Sequence, residues 1–128
     1  MFGVLSTRVH GYMDYLMGLV LVVVPLAFNF GAGAQTWVPV LLGGGAIVYS
    51  LMTRYELGVV PLIPMPVHLV LDAMSGLLLA ASPWLFGFAS AIWMPHVILG
   101  LAEVGAAMFT QTRRSHRAQP AAGIEAPA

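Results

Sequence analysis

Six residues recur at one fixed offset: His10, Asp14, Gly18, Pro25, Phe28 and Phe30 return 58 positions later as His68, Asp72, Gly76, Pro83, Phe86 and Phe88. After a two-residue slip the match resumes, with Trp37, Pro39, Gly44, Ala46, Val48 and Met52 against Trp93, Pro95, Gly100, Ala102, Val104 and Met108. The chain therefore reads as a tandem duplication, and whatever one half folds into has to pack against its own likeness. Each half holds two apolar segments, so the expected architecture is two copies of a two-segment unit, about residues 5–57 and 63–112.

Composition selects the solvent. With 59% hydrophobic and 8% charged residues in a chain of 128, there is too little polar side chain to cover a water-soluble core of this size. In lipid every backbone amide has to bond within its own segment, which leaves helices of roughly 20 apolar residues, rising about 1.5 Å each, to cross about 30 Å of hydrocarbon. Four stretches are expected to do so, at about 7–30, 37–54, 66–88 and 92–110. The expected fold class is all-α: a four-helix transmembrane bundle built from two parallel two-helix repeats. Residues 1–112 form the four-pass domain, and the polar, Pro/Ala-rich stretch 113–128 reads as a disordered cytoplasmic tail. The absence of cysteine removes disulfides, thiolate chemistry and Cys-based metal sites.

The positive charges are all arginine, at Arg8, Arg54, Arg113, Arg114 and Arg117. They fall in the N-terminal segment, the joint between the halves and the tail, whereas the links 31–36 and 89–91 carry no charge. By the positive-inside rule the orientation is N-in and C-in. Trp37, Trp84 and Trp93 then collect at the outer interface, where an indole buries its ring and keeps its N–H at headgroup level. Arg8, the apolar run and Ala32-Gly33-Ala34 also resemble a signal peptide and its cleavage site. The same segment recurs internally as the third span and is interrupted by Asp14, so the first span is expected to be retained.

On a helix of about 100° per residue His10, Asp14, Gly18 and Pro25 share one narrow stripe, as do their second-half counterparts. Parallel repeats related by an axis along the membrane normal bring these two faces together at the bundle centre, with glycines allowing close approach. The fourth span has a seam of its own, His96, Gly100, Glu103, Ala107 and Thr110; by the repeat match Glu103 stands opposite Ile47 and His96 opposite Val40. Asp14, Asp72 and Glu103 lie at similar depth, roughly 10 Å from the cytoplasmic helix ends. Charged groups at that depth need partners. The candidate intramembrane polar cluster is accordingly His10, Asp14, His68, Asp72 and Glu103, read first as pairing that registers the helices and second as a relay for protons or a solute. A His followed by Asp at i+4 on two facing helices has the makings of four metal ligands, but the same spacing arises whenever His and Asp simply pair, so no metal or other cofactor is expected. No catalytic motif is present and no basic surface suits nucleic acid.

Prolines punctuate the spans. Pro66 suits the start of the third helix and Pro39 and Pro95 the starts of the second and fourth, while Pro25 and Pro83 remove a backbone bond near the outer helix ends. Ser82 can return a bond to the freed carbonyl, making Ser82, Pro83 and Trp84 an outer-end terminator.

That tripeptide, in the first helix of a two-helix membrane repeat that carries His68 and Asp72, resembles the signature of the SPW-repeat integral membrane proteins. The first half departs from it, with Val24, Pro25 and Leu26. The resemblance implies a small multi-pass protein of the bacterial cytoplasmic membrane and brings no catalytic residues. The expected function is a structural or interaction role, not an enzyme activity. The expected partners are the lipid bilayer and a second copy or another membrane protein. The alternative is a proton-linked carrier or small-solute permease using the carboxylate and histidine cluster.

Overall fold

Apolar runs punctuated by proline and glycine fold here into four helices, α1 (Thr7–Ala27), α2 (Ala34–Leu51), α3 (Met65–Leu85) and α4 (Met94–Phe109). The computed structural model describes residues 3–112, so the expected tail lies outside the described residues. Among the described residues there are no strands, only two isolated bridges. The all-α bundle expected from composition is what the chain forms.

Three helices, α1, α2 and α3, are long and apolar enough to cross a membrane, with 21, 18 and 21 residues; α4 is apolar but has 16. Its shortness has local causes. Trp93 and Pro95 set its start, and Thr110 leaves it in an extended conformation (φ −93°, ψ 143°). The chain there pairs with the segment before α1: Leu5 N–H donates to Phe109 O and Gln111 N–H to Leu5 O, both at 2.9 Å.

α1 and α3 end alike, two residues after an internal proline. Asn29 (φ 49°) and Gly87 (φ 75°) follow the cap residues Phe28 and Phe86 in the left-handed region. Phe30 N–H donates to Pro25 O at 3.0 Å and Phe88 N–H to Pro83 O at 2.8 Å, closing Schellman turns. The recurring Pro, Phe and Phe are thus parts of one helix stop. α2 begins at Ala34, after Gly33 (φ 112°), earlier than expected. Pro39 consequently lies inside α2 and does not start it, whereas Pro66 and Pro95 do sit in the first turns of α3 and α4.

α1 packs chiefly on α2, α3 chiefly on α4, and the two hairpins meet along α2 and α3. Both hairpins close on glycine. A Cβ on Gly43 would lie 2.7 Å from Gly18 O, and one on Gly100 would lie 2.5 Å from Gly76 O. The place of Gly100 is therefore taken in the first hairpin by Gly43, 57 positions earlier, and not by Gly44, whose Cβ would meet nothing within 4 Å. In this register Glu103 stands opposite Ala46 and His96 opposite Pro39, which corrects the counterparts Ile47 and Val40 read from the aligned sequence. Helix contact sets the register, and a proline or glycine match one residue away does not.

One buried apolar cluster gathers Leu21, Val38 and Leu79. The other, Tyr55, Met65, Leu69 and Ala107, lies where the joint meets α3 and α4. The outward faces are lined by exposed large apolar residues such as Leu16, Leu41, Val70 and Ile98.

Candidate functional site

His10 and Asp14 on α1 and His68 and Asp72 on α3 face one another at the centre of the bundle, all buried (1%, 9%, 0% and 5% exposed). The i, i+4 spacing puts each aspartate one turn above its own histidine. Each histidine Nε2 then reaches both carboxylates: His10 lies 3.0 Å from Asp14 Oδ1 and 2.6 Å from Asp72 Oδ2. His68 lies 2.9 Å from Asp14 Oδ2 and 3.1 Å from Asp72 Oδ2. The two rings stand edge to face with centroids 5.5 Å apart. Pairing runs both within each helix and across between them.

The outer nitrogens identify the tautomers. Thr110 hydroxyl donates to Ala106 O at 2.5 Å, so its oxygen is left to accept from His10 Nδ1–H at 2.7 Å. In the same way Thr53 hydroxyl donates to Tyr49 O at 2.7 Å and accepts from His68 Nδ1–H at 2.6 Å. With Nδ1 protonated on both rings, each Nε2 of a neutral imidazole presents a lone pair to carboxylate oxygens. That contact is repulsive unless a proton or a cation lies between them. Two carboxylates among four buried side chains are neutralised by two added protons or by one doubly charged ion.

Phenols complete the cluster. Tyr55 hydroxyl donates to Asp14 Oδ2 at 2.9 Å, and Tyr49 hydroxyl donates to Asp72 Oδ1. Burial, with the Asp14 carboxylate beside it, pushes the Tyr55 pKa up and keeps it a donor. Both tyrosines come from the first half, so the cluster is less symmetric than the His/Asp motif itself. Tyr49 and Thr53 share a face at i, i+4 at the end of α2, a spacing that marks them in the sequence. Nothing local marks Tyr55, which depends on how the joint folds back.

Glu103 enters the same region without joining the pairing. Its two carboxylate oxygens are buried and have no hydrogen-bond partner among the described residues. It lines a cavity of about 50 Å³ together with His10, Asp14, Asp72, Met13, Met17 and Ala46. The five expected cluster residues therefore divide into a connected four and one carboxyl across a small void.

Two further polar groups answer for prolines. Pro83 leaves the Leu79 carbonyl without its helical donor, and Ser82 hydroxyl donates to it at 2.6 Å. Trp84 is exposed, 6.4 Å from Trp93 between ring centroids. Pro39 frees the Gln35 carbonyl likewise, and His96 Nε2–H donates to it at 2.9 Å. The His96 ring packs 5.7 Å from Phe30 and 4.7 Å from Phe88.

Compared with known proteins, the chain matches a family described as the SPW repeat domain over residues 8–110. The match spans α1 almost entirely, the other three helices and every residue of the polar cluster. No curated protein and no solved structure gives a significant match.

Proposed function

The chain belongs to the SPW repeat domain family, and from that premise we propose a four-pass protein of a bacterial cytoplasmic membrane, N-in and C-in, with a structural or interaction role and no enzyme activity. The single observation that carries this reading is the cross-pairing of His10 with Asp72 and His68 with Asp14. Every group in it is held by a second hydrogen bond to Thr110, Thr53, Tyr49 or Tyr55, as a joint between two hairpins requires. Inside a low-dielectric bundle such a joint fixes the register of the halves, because any slip leaves a buried charge unpaired. The exposed apolar faces suit lipid and, for an interaction role, a second copy of the chain. Asp14→Asn and Asp72→Asn, purified in mild detergent, are each expected to lower Tm while leaving proton flux in proteoliposomes unchanged. Unaltered Tm in both would overturn the structural reading.

One observation favours a second reading, a proton-linked carrier: the cavity that joins Glu103 to Asp14 and Asp72. Room for a water beside unpaired carboxylate oxygens is what a proton path needs. This reading requires wild-type proteoliposomes to carry a proton flux that Glu103→Gln reduces; equal flux in the two removes it.

A further inference from the structure

The four cluster side chains offer two imidazole nitrogens and two carboxylate oxygens, and these donor atoms all lie within 4.8 Å of one another. Donors about 2.0–2.1 Å from a tetrahedral metal stand about 3.3 Å apart. The four His–Asp separations here run from 2.6 to 3.1 Å. These contacts use both oxygens of Asp14, Oδ1 toward His10 and Oδ2 toward His68; with one donor from each residue, seating an ion takes an opening of the close contacts by a few tenths of an ångström and a drawing-in of the wider pairs, which lie within 4.8 Å.

The surroundings match those of a metal site on four counts. Both Nε2 atoms point inward while both Nδ1–H groups are spent on threonine oxygens, which is the orientation a metal-bound histidine needs. Both aspartates are held by phenols, Asp72 by Tyr49 at Oδ1, the oxygen turned away from the histidines, and Asp14 by Tyr55 at Oδ2, the oxygen that also meets His68. The donors are buried, so water is excluded as a competitor on the far side. On the near side lies the small cavity lined by Glu103, with room for a water beside the donors.

We propose that His10, Asp14, His68 and Asp72 bind one divalent first-row transition cation in a four-coordinate site that ties α1 to α3. Two nitrogens and two oxygens in a tetrahedral frame fit Zn²⁺; Mg²⁺ and Ca²⁺ demand six or more oxygens. The ion takes the place of the two protons that otherwise neutralise the carboxylates, so the charge of the core is unchanged. This inference deepens the joint proposed above and rests on the same cluster; the joint itself also holds with protons in the ion's place.

The test uses untagged full-length protein in mild detergent, stripped with EDTA and titrated calorimetrically with ZnCl₂, with CoCl₂ as the spectroscopic probe. The expected result is one equivalent of Zn²⁺ per chain, a higher Tm in its presence, and an intense visible band for Co²⁺ of the tetrahedral kind. Binding should be lost in the double variant His10→Gln/His68→Gln. Thr53→Val, which leaves all four ligands in place, should weaken Zn²⁺ binding by about 10-fold or more by releasing the His68 ring. That variant decides the matter if the double variant does not fold. Absence of a stoichiometric site in the wild type, binding that persists in the double variant, or Thr53→Val binding as tightly as wild type would each overturn the proposal. In the first of these cases the loss of Tm in Asp14→Asn, measured in EDTA, still judges the joint on its own.

Discussion

Replacing Gly100 by alanine puts one methyl group where α3 and α4 touch. The new Cβ would lie 2.5 Å from Gly76 O, 2.6 Å from Ala80 N and 2.9 Å from Ala80 Cβ. A carbon and a carbonyl oxygen rest at roughly 3.3 Å or more, so the helices must part by roughly 0.8 Å. Two of the three atoms are backbone and cannot swing aside. A gap of about 0.5–1 Å forfeits a quarter to a half of the dispersion energy of the atoms that line it. Overpacking of this kind costs about 1–3 kcal/mol, offset by about 0.5–1 kcal/mol from the better helix propensity of alanine. The expected net loss is about 0–2.5 kcal/mol, and about 1–3 kcal/mol relative to an alanine whose methyl group meets nothing. Gly105→Ala on the same helix is the control, since its Cβ would meet nothing within 4 Å; it should be neutral or stabilising. Unfolding by SDS in mixed micelles, followed by far-UV circular dichroism, measures both. Equal stability of the two variants would refute the close approach of α3 and α4, and with it the 57-residue register.

Two further outcomes are expected, one from the geometry and one from the placement of the arginines. Ser82→Ala should cost about 1 kcal/mol by stranding the Leu79 carbonyl, and much of that loss should vanish when Pro83→Ala restores a backbone donor, as a double-mutant cycle in SDS would report. In a chain without native cysteine, a single Cys at Ala32 should react with an impermeant maleimide from outside the cell and one at Val59 only after permeabilisation; the reverse labelling contradicts the N-in orientation.

Much of this fold was legible because lipid removes alternatives. Once composition excludes water as the solvent, apolar length and the proline and glycine stops leave little besides a helix bundle. The four His/Asp residues were legible from their i, i+4 spacing on two like helices, and the role of Ser82 from its place before Pro83. What escaped depends on contacts between segments. The start of α2 was misread because Gly33, and not Pro39, begins the helix. The counterparts of Glu103 and His96 were misread by one residue because a gapped match of Trp37 and Pro39 with Trp93 and Pro95 does not weigh the contact of Gly43 with Gly18. Tyr55 and the return of Leu5 to α4 arise from backbone pairing in the joint and at the helix ends, where sequence carries no period to read. The spacing places His96 on the seam of the fourth span but does not give its partner, the Gln35 carbonyl freed by a proline 57 positions away.

The central claim is that the His/Asp square joins the two hairpins. A double-mutant cycle between His10 and Asp72, which sit on different hairpins 2.6 Å apart, tests it most directly. With His10→Gln, Asp72→Asn and the double variant unfolded in EDTA-containing micelles, the account predicts a coupling of at least about 1 kcal/mol, within the range of about 0.5–3 kcal/mol found for residues in one buried network. Additivity of the two single losses to within about 0.3–0.5 kcal/mol would mean that the pair does not act across the interface, and would contradict the account.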